Sequence, residues 1–429
     1  MKAKKQKRCL HEIRPVQGLL KDQQGATAIV VAIVILLLLG FAALAIDIGH
    51  LCVAKAELQN AADAGALAGA RFLYNSDGTQ VNTGANQIAY DAATANKSEN
   101  LPVEVNWSGD NGGDVQRGHW SFATESFTPN DSTAPVDLWN VSTDDLDGDP
   151  NFINAVRVFT RRQGTPIASY FARLLGHESF QMDAEAIAYV GFAGTLQPYD
   201  VEQPIAICAD SIVTPDGDYS CNVGRMINSG QDTTSGETGG WTSYNQEDAC
   251  TGGTNAQEVK NLVCGGGNPE PMTLGVATAT NGGEIQSAFN QLIQCWAGET
   301  GKTQPWNMTL PVVSCPNNNV GTCEGLKGAV NVNVVWITEA GEDPGYNNAP
   351  TEMAGVGDEY GSWSSSSSDG QVRWNSFVTH FNLKNVDGSA APYQKKAIYF
   401  LPDCTPHEPA GTTGGENFGV LAKIPVLVK

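Results

Sequence analysis

Asp145, Asp147 and Asp149 stand at alternate positions around Gly148 in STDDLDGDPN, residues 142–151. Oxygen-rich side chains on a loop turned by glycine are what a calcium ion takes, so calcium is the one cofactor these residues suggest. An EF-hand would need a distal glutamate, but the position eleven after Asp145 is Val156. The alternative is a solvated acidic turn ahead of a strand that starts near Asn154.

Cysteine is the other chemistry-bearing residue type. Cys208, Cys221, Cys250, Cys264, Cys295, Cys315, Cys323 and Cys404 all fall in the last 222 residues. An even number in one region reads as a disulfide set, which places that region in an oxidising compartment. Spacing favours neighbours: Cys208 with Cys221, Cys250 with Cys264, and Cys315 with Cys323, leaving Cys295 to meet Cys404 across 109 positions. Cys9 and Cys52 lie apart from the set. Cys404 and His407 have zinc-like spacing, yet one such pair among disulfides reads as half a bridge beside a surface histidine.

Enzymatic motifs are missing. There is no G-x-S-x-G, no H-E-x-x-H and no G-x-x-x-x-G-K-[ST], and the glycines at 265–267 run into Asn268-Pro269, a turn. The six histidines are scattered, with only His380 and His407 beyond residue 196. The expectation is a protein that is not an enzyme. The alternative is an adhesin or enzyme acting through the cysteine-rich region.

The elements that hold these residues begin with 26–46, ATAIVVAIVILLLLGFAALAI, 21 residues without a charge. At about 1.5 Å per residue this run spans a hydrocarbon core of roughly 30 Å. Lys2, Lys4, Lys5, Lys7, Arg8, Arg14 and Lys21 precede it against only Glu12 and Asp22, so the amino terminus is expected in the cytoplasm. A signal peptide cut after Ala43-Leu44-Ala45 is the rival, but the run exceeds an h-region of about 7–15 residues. Past residue 25 there remain 18 Lys/Arg against 44 Asp/Glu, a balance of −26 that makes nucleic acid an unsuitable partner.

The helical pattern continues into LQNAADAGALAGARFLY, residues 58–74. Ala61, Gly65 and Gly69, and beside them Ala62, Ala66 and Ala70, recur every four residues, forming two stripes that another backbone could approach closely. Self-association through this stalk is one expected use. Further on, GANQIAYDAATANK (84–97) reads as a helix, VEVNW (103–107) and HWSFATESF (119–127) as strands, and AVRVFTRR (155–162) as a third.

Residues 25–74, with glycine before the apolar run, Asp47-x-Gly49 just after it and then Leu-Gln-Asn-Ala-Ala-Asp-Ala, resemble the amino-terminal module of TadE/TadG-like proteins of Flp (tight adherence) pilus assembly. NAVRVFTRRQGTPIASYFARLLGHESFQMDAEAIAYVG, 154–191, is similar to the segment that closes the headpiece there: strand, short helix after Pro166, strand. The resemblance implies a bitopic envelope protein of the inner membrane, its carboxyl-terminal part periplasmic, whose partners are other pilus-assembly proteins. Two features depart from relatives. The glutamate expected five residues after a prepilin cleavage glycine is Val30, and the Asp-x-Ser-x-Ser metal motif of a von Willebrand A-type domain is lacking.

The expected fold class is α+β. A basic tail (1–25) leads to the transmembrane helix (26–46), then to a stalk helix and antiparallel-sheet headpiece (47–195), then to a β-rich, disulfide-stapled domain (196–429). In that last part, runs at 203–210, 329–338, 395–404 and 419–429 read as strands and 283–296 as the one clear helix.

Overall fold

The computed structural model describes residues 23–75, 80–134, 136, 138, 141–214, 217–221, 223–228, 239–246, 253–283, 285–316, 319–338, 346–351, 353, 366–404, 411–422 and 424–429. Cys9, Cys250 and His407 lie outside these residues, and so do the expectations placed on them. The chain forms two compact units: Met1–Ala56 with Arg162–Met182, and Glu57–Arg161 with Asp183–Lys429.

In the larger unit, the end of helix α1 (Gln23–Arg71) and helix α2 (Ala85–Thr94) accompany a five-stranded sheet. Its members are β1 (Val115–Ser121), β2 (Ser126–Pro129), β3 (Ala155–Ala168), β4 (Ser179–Tyr189) and a terminal strand Val426–Leu427, ordered terminal strand, β4, β3, β1, β2. The run at 119–127 is therefore two strands of a hairpin, turned between Ser121 and Ser126 with Glu125 at φ 49°. Of 103–107 only Glu104 forms a β-bridge, to Arg161. Asp114 explains why the pairing stops: its carboxylate accepts the Asn106 N–H at 2.7 Å and its own N–H donates to the Asn106 carbonyl at 2.9 Å.

The small-residue stripe is packed inside this unit. Ala61, Ala62, Ala66 and Ala70 are buried, as are Gly65 and Gly69. A Cβ added to Gly65 would sit 2.9 Å from both the Ala89 carbonyl oxygen and Ala93 Cβ, and one on Gly69 would sit 2.7 Å from Ala89 Cβ and 2.9 Å from Val156 Cγ1. The backbone of α1 thus approaches α2 and β3 as closely as glycine allows. This corrects the expectation of self-association through the stripe, because the surface is already occupied by the chain's own α2 and β3. Thr160 Oγ1 adds a bond to the Leu58 carbonyl at 2.8 Å, and Gln59 Nε2 one to the Glu185 carbonyl at 2.9 Å.

Beyond residue 196 the sheet has seven strands. They are β5 (Ile205–Cys208), β6 (Arg225–Asn228), β7 (Gly239–Thr242), β8 (Ala277–Asn281), β9 (Trp306–Val313), β10 (Cys323–Ile337) and β11 (Ala397–Pro402), in the order β8-β7-β5-β9-β10-β11-β6. The edge strand β8 also pairs with the start of β10, closing five strands into a ring and removing the free edge of β8, while β6 remains an edge. One pairing, β5 with β9, is parallel. Among the described residues, helices α3 (Ala256–Leu262), α4 (Gln286–Thr300) and α5 (Gly370–His380) accompany this sheet, two more than the sequence suggested. Their signals are polar: Asn255 and Glu258 form a capping box on α3, and Asp369 caps α5. The core joins sheet and helices through aromatic side chains, with Trp296 of α4 edge-on to Trp336 at 5.1 Å and Phe377 of α5 within 6.3 Å of the same ring.

This topology, and not proximity in sequence, pairs the cysteines. The parallel register that sets Val313 beside Cys208 brings Cys315 to Cys208. The antiparallel register Phe400 to Arg225, continued four residues, sets Cys404 opposite Cys221. Cys264, just past α3, bonds Cys295 of α4. The expected Cys208–Cys221, Cys315–Cys323 and Cys295–Cys404 pairs are thereby overturned, as is Cys250–Cys264. Cys323 is itself disulfide-bonded, and Cys52 is free and exposed.

The chain then returns to the headpiece. Leu427 and Val426 pair with Ala188 and Tyr189 of β4, Leu421 bridges Phe192, and Asn417 Nδ2 donates to the carbonyls of Leu138 and Val141 at 2.6 and 2.9 Å. Of the run at 419–429, Val426–Leu427 is the strand, and it belongs to the headpiece sheet, so the boundary expected at 196 does not separate the two sheets' chain segments.

In the smaller unit, α1 is unbroken from Gln23, and its Leu36 to Leu39 side chains are 57–68 % exposed. By length and composition it can cross a membrane. A helix satisfies its own backbone groups, which hydrocarbon requires. The rest of this unit is the tip of the β3–β4 hairpin, with a 3-10 turn at Ala172–Leu175. Strand, short helix and strand follow the order the sequence suggested.

Candidate functional site

Asp47 is the first polar residue after the apolar run, and it is only 4 % exposed. Its carboxylate takes the backbone N–H groups of Tyr170 at 2.8 Å and Ala172 at 2.6 Å, with Phe171 shared between both oxygens at 3.2 and 3.0 Å. These donors open the 3-10 turn and have no partner within it, so a carboxylate supplied by α1 meets a need that the turn's own sequence leaves unfilled. Gly176, at φ 93°, ends the turn, and its N–H reaches the Arg173 carbonyl at 3.1 Å. The His50 and Tyr170 rings lie 4.7 Å apart. One carboxylate therefore clamps the hairpin tip to the place where the apolar run ends.

The clamp leaves a marked surface. Leu174 and Leu175 are 80 and 84 % exposed, and Tyr170 and Phe171 are also exposed. Sequence reading had singled out Asp47 only as part of a family pattern and had not found its partners. The available signal was a lone carboxylate directly after an uncharged 21-residue run.

The three aspartates of the acidic turn serve separate local bonds. Asp145 accepts from Ser142 Oγ at 2.7 Å, and Asp149 accepts from the N–H and Nδ2 of Asn151 at 2.9 and 3.0 Å. Asp147 reaches across to the β1–β2 turn, accepting the N–H groups of Phe122 and Ala123 at 2.7 and 3.0 Å and Ser121 Oγ at 3.0 Å. His119, buried beneath, has one ring nitrogen 2.8 Å from the Phe152 carbonyl and the other 2.8 Å from the Asp147 carbonyl. Among the described residues no three or more His, Cys, Asp or Glu side chains are grouped to hold a metal ion.

Partial burial pushes the Asp147 carboxyl upward, but the Phe122, Ala123 and Ser121 bonds outweigh it and hold the pKa below the ordinary carboxylate range. A depressed folded-state pKa contributes stability that is present above the unfolded value, about 3.9, and is lost as pH falls through the folded value. Asp147→Asn is therefore expected to lower the melting temperature at pH 7. The gap from the parent chain should close in acid, a result that melting curves from pH 7 down to about 3 would check.

A cavity of about 690 Å³ is lined by residues of 142–144, 325–327 and 414–418, among others. Its charged groups are Asp144, Lys327 and Glu416, and the last two neutralise one another at 2.7 Å. Among the described residues no histidine lines it.

Residues 25–71 match the family model described as Flp pilus-assembly TadE/G-like, and residues 56–188 match the one described as Tad-like Flp pilus-assembly. No curated protein and no solved structure matches the chain. The two matched segments overlap along α1 and end one residue before the close of β4, covering the stripe, the carboxylate clamp and the hairpin it holds. Over residues 25–188, then, the chain matches the Tad-like Flp pilus-assembly models, which together span the apolar helix and the headpiece hairpin.

Proposed function

We propose that the protein is a structural component of Flp-type pilus assembly, anchored in the inner membrane by 26–46, with everything from Asp47 onward in the periplasm. The observation that carries this reading is α1 itself: its apolar part runs without a break into the part on which the Tad-like head is packed. Three further features support it: the basic flank at 1–25, the balance of −26 beyond it, and the disulfides. Other pilus-assembly proteins are its partners, and its work is positional, without a reaction of its own. The acidic turn at 142–151 remains a proposal for calcium, taken up only if the local bonds of Asp145, Asp147 and Asp149 rearrange.

Two native cysteines test the orientation. In spheroplasts, a membrane-impermeant maleimide is expected to label Cys52 without lysis, and the label should disappear in Cys52→Ser. Cys9 should react only once the membrane is opened. Labelling of Cys52 only after lysis would reverse the topology, and a mature chain beginning at Ile46 would show a cleaved signal and no anchor.

A further inference from the structure

We propose that the tip of the β3–β4 hairpin is a second membrane contact, in which Leu174 and Leu175 enter the periplasmic leaflet beside the anchor helix. The inference rests on the reading of 26–46 as that anchor. Asp47, the residue at which the uncharged run ends, holds Tyr170, Phe171 and Ala172 by their N–H groups, so the turn is tied to the level at which α1 leaves hydrocarbon.

What the turn presents at that level suits a lipid surface. Leu174 and Leu175 are adjacent and 80 and 84 % exposed, and with Phe171 and Tyr170 they make one apolar patch within six residues. Single exposed leucines are ordinary, but a clustered patch on an ordered turn marks a contact. Tyrosine is favoured where hydrocarbon meets headgroups, and Tyr170 stands against His50 there. Arg173, between the aromatic pair and the leucines, can meet lipid phosphate while its neighbours insert. The Asp47 carboxylate beside the patch already faces three backbone donors, and the exposed carboxylate next in the chain, Glu178, lies past the turn that Gly176 ends. Interfacial apolar groups of this kind sit about 5–10 Å into the headgroup and acyl boundary.

The test uses the full chain with Cys9 and Cys52 changed to serine, in vesicles of phosphatidylethanolamine and phosphatidylglycerol. A nitroxide is attached in turn at Leu175→Cys, at Leu36→Cys within the apolar run, and at Gln87→Cys on the exposed face of α2. Collision with oxygen relative to a water-soluble nickel complex should be several-fold higher at 175 than at 87, approaching the value at 36. An aqueous ratio at 175 with an immersed 36 overturns this inference and leaves the anchor standing. Exclusion of both reagents from 175 also overturns it, because it would show a protein covering the patch. An aqueous ratio at 36 removes the anchor and this inference together.

Discussion

Replacing Cys221 and Cys404 together by serine is expected to destabilise the protein more than loss of the Cys264–Cys295 bridge. The bond closes 183 positions, against 31 for Cys264–Cys295. In the chain-entropy description, loops of those sizes constrain the unfolded state by about 5 and about 4 kcal/mol respectively. The longer bond also has the more structural consequence. It fastens the edge strand β6 to β11 at the end where their register runs out, while the other ties two helices that already touch through Gln291 Nε2 and the Val263 carbonyl at 3.0 Å. A loss of about 5 kcal/mol corresponds to a fall of roughly 7 °C in melting temperature for a unit of this size. Both double-serine variants of the full chain, melted side by side in detergent, would check the ranking. An equal or larger fall for the Cys264/Cys295 variant would refute it.

Enlarging the stripe is the second large effect. Gly65→Leu and Gly69→Leu each restore up to about 1 kcal/mol of helix propensity. Each also drives a branched side chain into a contact where even a Cβ would be 2.7–2.9 Å from Ala89 or Ala93. Overpacking of this kind costs about 1–3 kcal/mol per site, so the net change is destabilising. The neighbour at Gly65 includes a backbone carbonyl, which cannot rotate away. The double variant is expected to keep the far-ultraviolet signal of α1 and to melt well below the parent, with near-ultraviolet bands of the head weakened. An unchanged or higher melting temperature would mean that the stripe is not the packed contact described above.

Much of the headpiece was legible because it is written in short-range patterns. The uncharged run, the continuation of α1, the helix at Ala85–Thr94 and the strand, turn and strand of 155–189 each follow from periodicities within a few residues. The hairpin of β1 and β2 was misread as one strand because alternation continues through its turn. What fixes the turn is Asp147, 24 to 26 residues away in sequence. Helices α3 and α5 were missed for the opposite reason. Weak apolar periodicity hid them, although the polar signature of Asn255 with Glu258 was present three residues apart.

The sequence alone determined that this chain carries an apolar helix able to cross a membrane, an acidic and cysteine-rich remainder, and a close-packing stripe, because each is a property of composition or spacing along one element. The tertiary structure alone decided the rest. It chose α2 and β3 to cover Gly65 and Gly69, brought the terminal strand Val426–Leu427 back to β4, and gave Asp47 the N–H groups of Tyr170, Phe171 and Ala172. It also set Cys221 opposite Cys404 and Cys208 beside Cys315. The physical reason is common to all of these. A side chain's own preference is set by its neighbours in the chain, whereas its partner is set by strand order and register, because closing a loop of 183 positions costs only about 2 kcal/mol more than closing one of 13, less than the packing of a sheet supplies.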